Sequence, residues 1–497
     1  MNESCKEYKW VRLITGGIVP AVLALVVLAV ASFSNEGWEP AGRLAGICKE
    51  LVLGSTEGRQ ALAGSCWFGP LSTLFYLPLA WAFTAHVAGY LAFFFAFFLM
   101  LWSVREALKS SKHALTHILS AQVEICILAL TVIPAAMLNV NTVLPVVFFT
   151  IAFGSLLDWS DQMRLRDIVM TGAGVAMLSI SGVHFFALGI WLALAIPLIW
   201  FWHRKGEHFA RTTSAALIGW MPVIYCLGTW VLLNWLIMGD PAFFLRSLVP
   251  YTRQAGYPFL ITILAPGVVI IGYLTLGIVF CRGGAPKVAS PAGNRIFSML
   301  IVISALGYLY GLNCVGLEWC ASEILLSVLM LVLIFCVRFF DSRVLVVGSS
   351  VIFVVVGIWL GSVFVPYSPN SLSASQRLSL RCEVENYVMK RTKNGRVFVS
   401  GYRGLSLLQD YYGQLLVPNI HFDVNTLRQD YFGQELYVLV AKPEGFVAME
   451  YIFSAYPDIY KYGCERLLFA DNFGDWHLFQ VVSAPQGGSG VAPLRKL

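Results

Sequence analysis

The sequence predicts a polytopic α-helical membrane protein of eleven or twelve transmembrane helices, with a small α/β domain outside the membrane near its C-terminal end. Three observations carry that expectation. Apolar runs long enough to cross a bilayer core, about 17–25 residues each, recur through residues 1–366. Only 12% of the residues are charged, against roughly a quarter in a typical soluble domain, and the mean hydropathy is +0.72. The basic residues gather in short loops between the runs, where positive charge orients spans toward the cytoplasm. The formal charge of +6 is accounted for in this way, and no nucleic-acid partner is expected.

The first run, about 11–33, follows Lys6, Lys9 and Arg12 with no small-residue cleavage site behind it, so it reads as a retained span rather than a signal peptide. A polar interval over 34–70 comes next and holds Glu36, Glu39, Glu50 and Glu57 but no aspartate. Within it "PAGRLAGICKELVLG" puts Leu44, Ile47 and Leu51 on one helical face and Arg43, Lys49 and Glu50 on another. That pattern fits an amphipathic helix lying on the outer membrane surface and ending at Gly54. Residues 69–104 then form a run too long for one span. It divides either into two spans or into one span preceded by a membrane-embedded half-helix starting at Gly69-Pro70. Only the second option keeps Arg105, Lys109 and Lys112 on the cytoplasmic side.

Further spans are expected at 116–137, 142–158, 167–182, 184–202, 213–238, 258–281, 296–313, 321–338 and 343–366. The loops "RLRD", "HRKGEHFAR", "CRGGAPKVASPAGNR" and "RFFDSR" all fall on one side if the spans alternate, and the positive-inside rule makes that side cytoplasmic. Residues 367–376 read as a polar linker and 377–482 as the outer α/β domain. In that domain helices are expected at 378–392, 404–412 and 447–456, strands at 396–402 and 436–441, and a hairpin turning at 471–475. The Gly/Ser/Pro-rich tail 483–497 reads as disordered. Six cysteines fall on the predicted outer face. An even set suits disulfides, with Cys48–Cys66, Cys314–Cys320 and Cys382–Cys464 as the pairs, and small buried thiols as the alternative.

Two outer loops hold the residue types that do chemistry. Glu36 and Glu39 stand at the exit of the first span, where a carboxylate serves as a general base, as a metal ligand, or simply as an acid at a helix N-terminus. The loop 234–254, "NWLIMGDPAFFLRSLVPYTRQ", holds Asp240, Arg246, Tyr251 and Arg253. Guanidinium groups beside a membrane match phosphate oxygens bidentately, or else pair with Asp240 and ordinary headgroups. Phe243, Phe244, Tyr251 and Tyr257 are expected at headgroup level. Glu124 should be paired within its span or face a cavity. His86, His184, Glu318 and Glu323 carry weaker signals. Tyr402, Arg403, Asp410, Tyr411, Tyr412 and His421 after the first outer strand suit either a sugar site or an ordinary loop surface.

The order of a first span, an acidic loop with an amphipathic helix ending in Gly54, the "WFGPL" opening of the next helix, many spans and an outer C-terminal domain resembles the GT-C membrane glycosyltransferases. The ArnT-like and RgtA-like (PMT-related) groups are the nearest pattern. The resemblance implies sugar transfer from a polyprenyl-phosphate donor to an envelope glycan, lipid or protein acceptor on the periplasmic face of a bacterial inner membrane. It places the base at Glu39 or Glu36, and it implies donor binding in the region of the loop that carries Asp240, Arg246, Tyr251 and Arg253. The chain departs from the family pattern in having no Asp in the first loop, and in having Asn139 and Asn141 where a second acid often sits. No cofactor is assigned, and the neutral amides make a poor site for a divalent metal. A non-catalytic GT-C-fold scaffold of a polysaccharide assembly stands as the second reading, and a lipid or saccharide transporter as the third.

Overall fold

The structure is a computed structural model of the chain. It describes residues 13–33, 47–49, 51–54, 56–64, 69–109, 114–131, 140–162, 164–182, 209–246, 374–401, 415–419, 433–443, 451–456, 458–464 and 466–482, with a few isolated positions between them. The described part is mostly helical with one small sheet. A π-helical turn over Ile14–Ile18 leads into α1 (Val19–Phe33). There follow α2 (Thr56–Ala63), α3 (Pro70–Ala82), α4 (Ala85–Leu108), α5 (Ala114–Thr131), α6 (Val140–Gln162), α7 (Leu165–Ser179) and α8 (Phe209–Met238). One further turn, α9, covers Phe243–Arg246. The spans expected at 258–366 lie outside the described residues, as does most of 184–202.

The long apolar run resolves into two helices of unequal length. α3 has 13 residues and α4 has 24. At about 1.5 Å per residue α3 is only ~20 Å long, short of a ~30 Å bilayer core, whereas α4 is long enough. Pro70 starts α3 where its missing N–H costs nothing. The break falls at Phe83-Thr84 rather than at Pro78, which stays inside the helix.

α4 sits in the middle of the bundle, with α1, α3, α5 and α6 packed on it, and α6, α7 and α8 continue as successive neighbours. Phe93, Phe97, Met100, Leu101 and Val104 are fully buried along α4. Small residues let the backbones meet: Gly154 lies on Ala107, Gly174 on Ala152 and Gly172 on Gly219. Gln122 on α5 ties three elements with one amide, its Nε2 donating to Thr15 O at 3.1 Å and Leu101 O at 3.0 Å. The carbonyl it reaches at Thr15 belongs to the π-helical turn.

In the C-terminal region α10 (Ala374–Arg391) is followed by β1 (Gly395–Ser400), β2 (Leu416–Asn419), β3 (Glu435–Ala441), α11 (Tyr451–Ala455), α12 (Ile459–Tyr462), β4 (Leu467–Phe473) and β5 (Trp476–Val481). The sheet order is β2-β1-β3-β5-β4, with β2, β1 and β3 parallel and the β3–β5 and β5–β4 pairs antiparallel. Leu380, Val384 and Val388, spaced by four along α10, form the stripe buried in the core of this domain. Tyr387 on the same helix donates to Ala470 O at 2.8 Å, at the register shift of the edge strand β4. α10 begins inside the stretch read as linker. β2, with Pro418 in its "LVPN", was not among the expected strands. As an edge strand β2 accommodates the proline.

Two expectations about cysteines and aromatics need correction. Cys382 and Cys464 are free thiols, as is Cys48. Cys382 lies on the exposed face of α10, whereas Cys464 packs against the domain core, so the pair expected between them does not form. Cys66, Cys314 and Cys320 lie outside the described residues. Phe243 and Phe244 are buried at 4% and 8% exposure rather than lying at a headgroup surface.

Candidate functional site

The described ends of the two loops singled out in the sequence meet around one tryptophan. Trp230, on α8, is buried, and its Nε1 donates to Ala63 O at 2.8 Å, at the end of α2. Asn234, one turn further on, donates to the same carbonyl at 3.1 Å and to Trp230 O at 2.9 Å. The indole ring stacks on Phe244, centroids 4.4 Å apart, in the turn that carries Arg246. The interval 34–70 and the loop 234–254 are thus fastened to each other through Ala63, Trp230 and Phe244.

The same interval is fastened to α3. The turn Ile47–Gly54 ends as Gly54 takes a left-handed φ of 79°, with Gly54 N donating to Leu51 O at 3.0 Å. Ile47 and Cys48 pack into the bundle core, and Cys48 Sγ donates to Thr73 O at 3.6 Å. Lys49 was expected on a solvated face. Its ammonium instead donates to Ala80 O at 3.1 Å and Phe83 O at 3.3 Å. It therefore places a cation on the orphan carbonyls at the negative end of the α3 dipole.

The other end of α3 is held as tightly. Gly69 N donates to Ser181 O at 2.8 Å and Leu71 N to Ile180 O at 3.3 Å, just beyond α7. A Cβ on Gly69 would lie 1.9 Å from Ile180 O, so only glycine fits. α3 is therefore a short rod clamped between the end of α7 and the turn Ile47–Gly54.

Among the residues expected to act, Asp240 is described and has a structural task. Gly239 ends α8 at φ 69°, and Asp240 Oδ1 then accepts Ala242 N–H at 3.1 Å, opening the turn into Phe243–Arg246. The backbone of Arg246 closes that turn. Glu36, Glu39, Tyr251 and Arg253 lie outside the described residues, as do His184, Glu318, Glu323, Tyr402, Arg403, Asp410, Tyr411, Tyr412 and His421. Glu124 is buried and accepts Ser120 Oγ at 2.6 Å, matching the paired state expected of it. Among the described residues no group of three or more His, Cys, Asp or Glu could hold a metal ion.

Sequence reasoning gave no weight to His477. It stacks flat on Tyr460 at 3.9 Å, touches Phe469 edge-on at 5.3 Å, and its Nδ1 faces Tyr460 O at 2.8 Å. Burial among these rings lowers its basicity, against a smaller opposing effect from the Tyr460 carbonyl. Its neutral form is the one the fold favours. No protein-family model matches the chain, and no curated protein matches it.

Proposed function

We propose that the chain is a multi-pass membrane glycosyltransferase of GT-C type. It would move a sugar from a polyprenyl-phosphate donor to an envelope acceptor on the outer face of a bacterial inner membrane. The observation that carries the reading is the fastening of the two candidate loops through Ala63, Trp230 and Phe244. A transferase of this kind needs its base and its phosphate-binding arginines on one rigid frame, because a reacting pair misplaced by about 1 Å loses much of its rate. In this reading Glu39 or Glu36 removes the proton from the acceptor hydroxyl as it attacks the anomeric carbon. The bond to the carrier phosphate breaks in the same displacement, inverting that carbon. Arg246 and Arg253 hold the departing phosphate, with Asp240 and Tyr251 shaping the loop around it.

A membrane setting has its own support. Two described helical stretches, Val87–Leu108 and Ser214–Met238, are long and apolar enough to cross a bilayer by length and composition. The second has only 17% of its apolar window buried and exposes Leu217, Met221, Ile224, Trp235 and Leu236. An uncovered apolar face of that size is costly in water and at ease in lipid.

The test is an in-vitro transfer assay with a radiolabelled polyprenyl-phosphate sugar, comparing wild type with Glu39→Ala and Glu36→Ala. Loss of the base is expected to slow transfer by about 10²–10⁴-fold in one of the two variants. Transfer unaffected by either substitution would remove the site assignment. A protein that never consumes donor would be read instead as the non-catalytic scaffold, which the missing Asp and the "LNVNT" loop favour.

A further inference from the structure

α10 carries two apolar stripes, and the sheet uses only one. Leu380, Val384 and Val388 are buried against it. Leu378, Cys382 and Met389, spaced by four and seven residues, share the opposite side, where Leu378 is 60% and Met389 64% exposed. The C-terminal end beside Met389 is basic. Lys390, Arg391 and Lys393 are all exposed, and Arg391 lies 3.5 Å above the Tyr387 ring. Over 374–396 six bases stand against two acids, Glu383 and Glu385; Arg377 is buried and Arg396 belongs to β1, so on α10 the exposed basic excess lies at its C-terminal end. Of those acids Glu383 already accepts Ser379 Oγ at 2.8 Å.

The location of this surface narrows what it meets. α10 packs against the turn Ser406–Leu408, and Leu408 packs both into the sheet domain and against the core cluster of the helical bundle. α10 is therefore next to the point where the outer domain touches the bundle. The last apolar run ends at 366 and α10 starts at 374, a reach of at most ~27 Å even fully extended. We propose that the outward side of α10 docks on an anionic lipid surface, its Leu378–Cys382–Met389 stripe among the acyl-chain ends and its basic end on the headgroups. This rests on the membrane reading above. The combination of a short apolar stripe with flanking bases is what holds an interfacial helix to charged lipid, the bases adding an electrostatic term that a zwitterionic surface lacks. Docking there fixes the height of the outer domain over the bundle.

The experiment uses the full chain in nanodiscs made either of phosphatidylcholine alone or with phosphatidylglycerol. Each contains a trace of the corresponding lipid carrying a photoactivatable diazirine, and labelled peptides are read by mass spectrometry. The peptide covering 378–389 is expected to be labelled by the phosphatidylglycerol probe, and far less by the phosphatidylcholine probe. Labelling of α4 and α8 by either lipid reports the membrane reading separately. The variant K390Q/R391Q/K393Q, altered only at exposed positions, should shift the docking equilibrium by about fivefold per base and so roughly a hundredfold in all. The pair L378Q/M389Q should abolish the labelling. If α4 and α8 are labelled while 378–389 is silent in both lipids, the docking proposal is overturned and the membrane reading stands. Equal labelling by the two probes, unchanged in the triple variant, also overturns it, since charge would then play no part. If no helix is labelled, both fall.

Discussion

Trp230 ties two loops together with one N–H and one ring face, and the two contributions can be separated by substitution. Trp230→Phe keeps an aromatic surface for Phe244 but gives up the bond to Ala63 O, which Asn234 still reaches. It is expected to cost about 1 kcal/mol, whereas Trp230→Ala also opens a cavity and should cost about 3–5 kcal/mol. Thermal unfolding of the detergent-solubilised variants checks the order. Gly69 permits no substitution of this graded kind: Gly69→Ala drives a methyl into the Ile180 carbonyl, and folded protein should be largely lost on expression. The thiols give a third test. Burial pushes Cys48 up to about 12, while Cys382 is exposed and free. In phosphatidylcholine nanodiscs, where the α10 stripe stays undocked, maleimide should therefore label Cys382 within minutes without reductant and leave Cys48 untouched until the protein is denatured, as read by peptide mass spectrometry. A Cys382 that labels only after reduction would restore the disulfide that the sequence had pointed to.

At the scale of elements, α3 and the C-terminal sheet make opposite lessons about what a sequence discloses. The short continuous apolar runs around Val397–Val399 and Tyr437–Val440, and the turn at Gly474, announce strands because each is a local pattern. The boundary at Gly54 is equally local, a glycine just past an apolar helical period. The clamp on α3 is not. Lys49 reads as a surface base, and only the folded chain shows it resting on the carbonyls of Ala80 and Phe83. Lys49→Met should weaken α3 by roughly 1 kcal/mol and speed hydrogen exchange at its C-terminal amides, with Lys49→Arg recovering part of the protection. In the C-terminal sheet His477 makes stability depend on pH. Its folded-state basicity lies below the ordinary histidine value of about 6.5, so the stability it confers is present above that pH and is lost as pH falls through the lower folded value. Denaturant midpoints followed by the domain's tryptophan Trp476 should drop on acidification below about 6.5, and His477→Phe should flatten that dependence.

For the whole molecule, the helical part with its central α4 was legible from the succession of apolar runs, but the way its pieces meet was not. Pairs such as Gly172 with Gly219, or Ala63 with Trp230, are set by packing between distant helices, and no window of sequence contains both partners. Of the four glutamates in 34–70 only Glu57 falls in a described helix, α2, so the assignment of Glu39 or Glu36 rests on the transfer assay. A coarser prediction belongs to the proposed membrane reading: the chain should remain in the pellet after alkaline carbonate extraction, with the C-terminal domain digestible only from the periplasmic side of spheroplasts. The clamp on α3 also has a bearing on how the chain is made. α3 cannot be clamped as it leaves the ribosome, because Ser181, whose carbonyl accepts from Gly69 N, is synthesised long afterwards. Ala63 waits longer still, for a partner 167 residues downstream. The assembly thus has a built-in order, in which Ala63 and Gly69 are translated early and reach their partners late.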